Sequence, residues 1–172
     1  ASWAWRRVPV PVVAAVQGHC FGGGLQIALG ADFRFTTADA QWSVLEARWG
    51  LIPDMSGIQS LSQVVGIDTA KRLTMTGEVV SGERAVALGL ATEVTEDPNA
   101  AGLALLEQIA TRSPDSVAAA KRLFDRTWTR GARHTFARER VEQAWLLANH
   151  NTAIARKAAF EKVAPRFELR RR

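Results

Sequence analysis

A run of glycines and two acidic residues lie close enough in the sequence to form one reaction site. Gly22–Gly24 follow an apolar segment and lead directly into a helix-like stretch. Glycines at a helix start leave backbone N–H groups uncrowded, so a negatively charged oxygen can approach them closely. Glu46 and Asp54 follow, and both are residue types that can carry protons. This stretch therefore predicts an oxyanion-binding turn with acid–base groups nearby.

Each of these features also has a purely structural explanation. Glycines permit a tight strand-to-helix turn, and the G-x-G-x-x-G spacing of a dinucleotide site does not occur. Glu46 lies in an apolar neighbourhood, where it can act as a proton carrier, but an isolated glutamate is more commonly a solvated surface carboxylate. Asp54 follows Pro53 and can also cap the next helix. From these residues alone, both explanations stay open.

Other residue types capable of chemistry form no recognisable pattern. The three histidines, His19, His134 and His150, have no carboxylate or cysteine at metal-ligand spacing, so no metal site is predicted. Cys20 is the single cysteine and has no obvious cationic neighbour, which indicates a small buried residue rather than a nucleophile. The glycine turn and its carboxylates therefore carry the functional hypothesis.

The composition is typical of an ordinary globular chain. It has 172 residues, 47% of them apolar, and a formal net charge of +5. Because no apolar segment approaches the roughly 20 residues of a membrane span, no membrane partner is expected. One cysteine suits a reducing compartment, so a cytoplasmic location is expected. The basic excess suits a polyanionic ligand, but no base-reading motif is present, so nucleic acid is not expected.

The segments around the glycines predict an α/β fold, because strand, glycine turn, helix and strand follow one another as in parallel α/β layers. Strands are predicted over 8–16, 32–36, 41–46 and 90–95, and helices over 3–7, 23–30, 55–66, 68–76, 81–89, 97–112, 113–128, 132–148 and 151–163. Asn151 is expected to cap the last helix. We assign 1–96 to an α/β core and 97–172 to a helical region. These few strands and their helix are too few to cover both faces of a parallel sheet. We therefore expect a preceding portion of the protein to supply further strands.

Several blocks of the sequence, with their spacing, resemble the crotonase (enoyl-CoA hydratase/isomerase) superfamily. The blocks are 11–18, 22–24, 31–34, 40–46, 50–53, 73–77, 85–90 and 158–162. The resemblance implies a core of stacked β-β-α spiral turns, of which the later part lies in this chain. It also implies a C-terminal helical region that serves in trimerisation or as a lid. Homotrimers or homohexamers are the assemblies it implies.

The resemblance further implies an acyl-CoA thioester as ligand, with coenzyme A as part of the substrate and no separate cofactor. The enolate-like oxygen would be held by two backbone N–H groups, one from Gly23 and one from a segment that precedes this chain. The resemblance places Gly22, Gln26, Trp42 and Lys162 among the substrate-binding residues. Lys162 would lie near a coenzyme A phosphate.

The acid–base positions distinguish reactions within the superfamily. Hydratases of this superfamily place two glutamates around a water, and these fall at Gln26 and Glu46, so the pair is broken. Asp54 stands where hydratases have a glycine. Glu46 with Asp54 resembles the dienoyl-CoA isomerases, although those enzymes carry an aspartate at the position of Gln26. Double-bond isomerisation is therefore favoured, with a one-carboxylate hydratase and a catalytically silent acyl-CoA-binding or assembly paralogue as the alternatives.

Overall fold

The structure is a computed structural model, which describes residues 2–171. The chain forms two compact units. The first comprises the residues up to Val8 and Val12–Ala104, and the second comprises Pro9–Pro11 and the chain from Leu105 onward. The sequence placed the boundary between 96 and 97, whereas the first unit continues to Ala104 because the start of the next helix packs with it.

The first unit alternates short strands and helices, as predicted for an α/β chain. Its elements are α1 Ala4–Arg7, β1 Val13–Val16, β2 His19–Phe21, α2 Gly23–Ala28, β3 Phe33–Thr36, β4 Gln41–Ser43, the 3₁₀ helix Leu45–Trp49, α3 Gly57–Val64, α4 Ile67–Thr76, β5 Val80–Ser81, α5 Gly82–Leu88, β6 Glu93–Val94 and the start of α6 Pro98–Ala110. The helices lie close to their predicted positions.

The strands form two three-stranded sheets. The first has the order β1-β3-β6 with parallel pairing, and the second has the order β2-β4-β5. In the second sheet β2 and β4 are parallel, and β5 is antiparallel to β4. Successive turns of the chain thus add one strand to each sheet, β1 and β2 before α2 and then β3 and β4. This repetition confirms the α/β class and the spiral β-β-α core.

Some strands differ from the sequence expectation. Residues 8–16 were predicted as one strand, but β1 begins only at Val13, because Pro9 and Pro11 lack the N–H group that a sheet ladder requires. The strands β2 and β5, of three and two residues, were missed because such short segments show no periodicity. Glu46 lies in the 3₁₀ helix, not at the end of a strand.

The core of the first unit holds the glycine turn in place. Leu25 of α2 and Leu29, the residue directly after the helix, are four residues apart on one face and expose 1% and 0% of their surfaces. They belong to one buried cluster with Trp42, Leu61 and Leu73. Burying each of these large side chains contributes about 1.5–3 kcal/mol, so α2 is anchored firmly directly after the glycines.

The second unit is helical, as predicted. Its elements are the end of α6, α7 Pro114–Thr127, α8 Ala132–Leu147 and α9 His150–Glu161. Asn149 rather than Asn151 caps α9, by accepting a hydrogen bond from the Asn151 N–H. Asn151 is buried instead, with Nδ2 donating to Asp115 Oδ2 (2.6 Å) and Oδ1 accepting from Glu168 N (2.9 Å). Across 2–171, no helix has the length and apolar character needed to span a membrane.

Cys20 in β2 is predicted to resist alkylation. Its burial raises the pKa of the thiol from 9.0 to about 12, while the charge of Arg34 acts in the opposite direction. Because the thiolate is the reactive form, iodoacetamide at about pH 8.5 should label the native protein on the order of 1,000-fold more slowly than the urea-unfolded protein. Mass spectrometry of timed samples measures the two rates, and comparable rates would contradict this assignment.

Candidate active site

The glycine turn joins β2 to α2 through a backbone conformation that requires glycine. Gly22 has φ 49° and ψ −118°, and its N–H donates to the Ser43 carbonyl (3.0 Å). Gly23 is the first residue of α2, and the first helical bond runs from Gln26 N to Gly22 O (3.0 Å). The Gly23 N–H precedes this bond, so it is among the helix N-terminal donors that can bind an anion.

The carboxyl group of Glu46 lies directly against this turn. A Cβ placed on Gly22 would be 3.5 Å from Glu46 Oε1 and 3.8 Å from Oε2. A Cβ on Gly23 would be 3.6 Å from the sulfur of Met55. The structure therefore brings together the glycines and Glu46, as the sequence predicted, and adds Met55, for which the sequence offered no signal.

Gln26 connects Glu46 to the turn that precedes α3. Its Nε2 donates to Glu46 Oε1 (2.6 Å), and its Oε1 accepts from Met55 N (2.7 Å) and Gly57 N (3.0 Å). The side chain is 2% exposed. Gln26 was predicted to bind substrate, but its oxygen is bonded to backbone groups of the protein and its NH₂ group to a carboxylate. Its position thus favours a role in organising the site.

The two oxygens of Glu46 have different surroundings. Oε1 accepts the hydrogen bond from Gln26, whereas Oε2 is buried and has no hydrogen-bond partner within residues 2–171. An unsatisfied buried carboxylate oxygen is costly, typically by about 1–3 kcal/mol or more. Such an oxygen beside the N-terminal donors of a helix is suited to exchange a proton with a bound molecule.

Asp54 lies in the turn that Gln26 holds. It is exposed and directly precedes Met55, whose N–H binds the Gln26 oxygen. The structural alternative was that Asp54 caps the following helix, but Ser56 occupies the N-cap position of α3. The pairing of Asp54 with Glu46 stays a prediction.

Trp42 and Lys162 are the other predicted substrate-binding residues, and they lie in different units of the chain. Trp42 is fully buried in the core, where its Nε1 donates to Thr36 Oγ1 (3.0 Å). This placement corrects the expectation of a substrate contact, because a ring with no exposed surface packs against the core instead. Lys162 is exposed and ends α9 in the helical unit, and its contact with a coenzyme A phosphate stays a prediction.

Comparison with known proteins identifies the family of this chain. The family model described as enoyl-CoA hydratase/isomerase matches residues 3–170. The mitochondrial enoyl-CoA hydratase domain-containing protein 2 of Mus musculus is 34% identical over 165 residues, which cover 92% of the chain and 56% of that protein. The (E)-benzylidenesuccinyl-CoA hydratase of Thauera aromatica is 35% identical over 113 residues, 64% of the chain and 44% of the relative. The chain thus spans about half the length of these relatives.

Solved structures share the fold. An enoyl-CoA hydratase from Bacillus anthracis superimposes with a TM-score of 0.93 at 26% identity, covering 96% of the chain and 65% of the hydratase. An enoyl-CoA hydratase from Polaromonas sp. JS666 gives a TM-score of 0.90 at 29% identity, covering 97% of the chain and 66% of that protein. With the family match over nearly all residues, the chain belongs to the enoyl-CoA hydratase/isomerase family.

Proposed function

We propose that the protein containing this chain moves carbon–carbon double bonds in unsaturated acyl-CoA thioesters. The observation that carries this proposal is the unequal pair Gln26 and Glu46. An amide cannot act as a general base or acid in the way a carboxylate does, so the pair holds one proton carrier. The Oε2 of Glu46 is buried without a hydrogen-bond partner in the described chain, so it is the oxygen suited to that role.

The reaction would need only the transfer of one proton. Glu46 would remove a proton from the acyl chain, and the electron pair of the broken C–H bond would delocalise onto the thioester oxygen. The Gly23 N–H would stabilise the enolate, a type of contribution worth roughly 10²- to 10³-fold in rate. Return of the proton to another carbon shifts the double bond, with no net gain or loss of atoms.

Asp54 would act when the proton must return far along the chain. In a 3,5-dienoyl thioester, the carbons that lose and gain a proton are several bonds apart, so a second carboxylate can serve the distant carbon. In a 3-enoyl thioester, Glu46 alone can serve both carbons. The two substrates therefore test the two carboxylates separately.

Hydration by one carboxylate is the second candidate. The observation that favours it is the naming of the relatives, which include an (E)-benzylidenesuccinyl-CoA hydratase and carnitinyl-CoA dehydratases. In this chain Glu46 would have to activate the water and protonate carbon in the same cycle. A catalytically silent paralogue that binds acyl-CoA is the third candidate, and it requires no proton transfer.

Assembly and location stay predictions. The resemblance to the superfamily implies homotrimers or homohexamers, with the helical region in the assembly. A cytoplasmic location was expected from the composition, although one relative is described as mitochondrial.

A substrate panel with two variants tests this proposal. We expect the purified protein to isomerise 3-enoyl- and 3,5-dienoyl-CoA faster than it hydrates 2-enoyl-CoA. The change Glu46→Gln should lower kcat by roughly 10²- to 10⁴-fold, because it removes the proton carrier, while thioester binding persists. Glu83→Gln, an exposed carboxylate in α5, is the matched control and should leave all rates unchanged.

Other results of the same substrate panel distinguish the isomerase from the hydratase and from the silent paralogue. Asp54→Asn should reduce turnover of the dienoyl substrate and spare the 3-enoyl substrate. If Asp54→Asn leaves every activity intact, Asp54 has no catalytic role. Hydration of 2-enoyl-CoA as the sole activity would support the hydratase, and binding without turnover of any thioester would support the silent paralogue.

The glycine turn itself is expected to tolerate no side chain at Gly22. The change Gly22→Ala should lower the free energy of unfolding by about 1–3 kcal/mol, because its backbone conformation is strained for alanine. A Cβ on Gly24 would meet no atom of the described chain within 4 Å, so Gly24→Ala should hold or raise stability by up to about 1 kcal/mol. Urea unfolding followed by circular dichroism measures both, and equal stabilities would refute the conformational requirement.

A further inference from the structure

We infer that Gln26 is a positioning residue that anchors Glu46 Oε1, so that Oε2 is the oxygen that gives and takes the proton. This inference rests on the proposed function and extends it, because it names the reactive atom and the group that selects it.

The orientation of the Gln26 amide is determined by its partners. Two backbone N–H groups, from Met55 and Gly57, point at one atom of the amide, at 2.7 and 3.0 Å. Backbone N–H groups can only donate, so that atom must be the oxygen, and the NH₂ group must face Glu46. The reversed amide would lose both bonds in a side chain that is 2% exposed, at about 1–3 kcal/mol for each unsatisfied group.

This orientation makes the two oxygens of Glu46 unequal in both protonation states. When the carboxylate is charged, Oε1 accepts from Gln26 Nε2 at 2.6 Å. When Glu46 is neutral, the N–H of Gln26 favours Oε1 as the carbonyl oxygen, because a carbonyl oxygen is a better acceptor than the hydroxyl oxygen of a carboxylic acid. The proton then resides on Oε2. Both oxygens lie near the Cβ position of Gly22, Oε1 at 3.5 Å and Oε2 at 3.8 Å, but only Oε2 is buried without a hydrogen-bond partner in the described chain.

The same amide sets the spacing of the neighbouring turn. Its oxygen binds the N–H of Met55, whose sulfur lies 3.6 Å from the Cβ position of Gly23. A Cβ on Gly57 would be 2.8 Å from this oxygen, so glycine there permits the close approach. Gln26 therefore joins α2, the 3₁₀ helix and the turn before α3 at a single buried point.

A glutamate at position 26 would remove this asymmetry. It could still accept from Met55 and Gly57, but its second oxygen would lie about 2.6 Å from Glu46 Oε1, by analogy with the present contact. Two carboxylates at this distance share one proton and titrate together. Glu46 would then lose its fixed donor, and either of its oxygens could hold the shared proton.

The variants Gln26→Glu and Gln26→Leu separate positioning of Glu46 from support of the turn. Gln26→Glu keeps the acceptor for the two backbone N–H groups, whereas Gln26→Leu removes it. If Gln26 positions Glu46, both variants should lower kcat for 3-enoyl-CoA by about tenfold or more with a smaller change in KM. The kcat–pH profile of Gln26→Glu should show one more ionisation than the profile of the parent protein, because the variant adds a coupled carboxyl group. Gln59→Glu, an exposed position in α3 with the same change in charge, is the control and should leave kcat and the pH profile unchanged.

Outcomes that overturn the inference are distinct from those that overturn the proposed function. A Gln26→Glu protein with the kcat and single-step profile of the parent would show that Gln26 only supports the turn. A direct titration of the Glu46 carboxyl carbon by ¹³C NMR needs no turnover, and Glu46→Gln assigns its signal. Repeating the NMR titration in the Asp54→Asn variant removes any contribution of the Asp54 carboxylate to the Glu46 titration curve. If no thioester is isomerised, the proposed function fails. The role of Gln26 is overturned only if the titration curve of Glu46 in the Gln26→Glu variant is identical to that in the parent protein.

Discussion

The hydrogen bond between Gln26 and Glu46 is the interaction on which the candidate site depends. It joins the first turn of α2 to the 3₁₀ helix, and the other end of the same amide holds the turn before α3. A buried amide of this kind is stable only when its donor and acceptor are both used, so the three elements must stay in register. The site is therefore assembled around one neutral side chain rather than around a pair of charges.

The glycines and the apolar core hold this arrangement in place. Gly22 adopts a conformation that brings the carboxyl group of Glu46 against the turn without a side chain between them. Directly behind the turn, Leu25 and Leu29 are buried in the core, so the backbone N–H groups at the start of α2 rest on a rigid support. Preorganised donors of this kind stabilise developing negative charge without reorganising, which is the requirement of enolate chemistry.

Family membership and site chemistry answer different questions about this protein. The match to the enoyl-CoA hydratase/isomerase family establishes the family, and the solved structures establish the fold, whereas the ligand of this protein belongs to the proposed function. The choice of reaction depends on how many carboxylates flank the thioester, because hydration and double-bond migration share an enolate and differ in where protons and water are delivered. In this chain an amide occupies one of the two positions, and the remaining carboxyl group has one anchored and one free oxygen.

The sequence by itself determined the local features, because these depend on neighbours along the chain. Turn glycines, apolar periodicity and blocks of characteristic spacing were enough to predict the α/β class, most helices, the glycine turn and Glu46 as its partner. The strands β2 and β5 were not predicted, because segments of two or three residues become strands only by pairing with partners in a sheet.

Only the tertiary structure decided the relations between distant residues. Gln26 and Glu46 are separated by 20 positions and Asn151 and Asp115 by 36, so neither hydrogen bond leaves a periodic signal. Trp42 stood inside a site-like block, but packing made it part of the core. A polar or aromatic residue type tells what contacts are chemically possible, and the folded chain selects which of them occurs, because burial forces each polar group to find a partner.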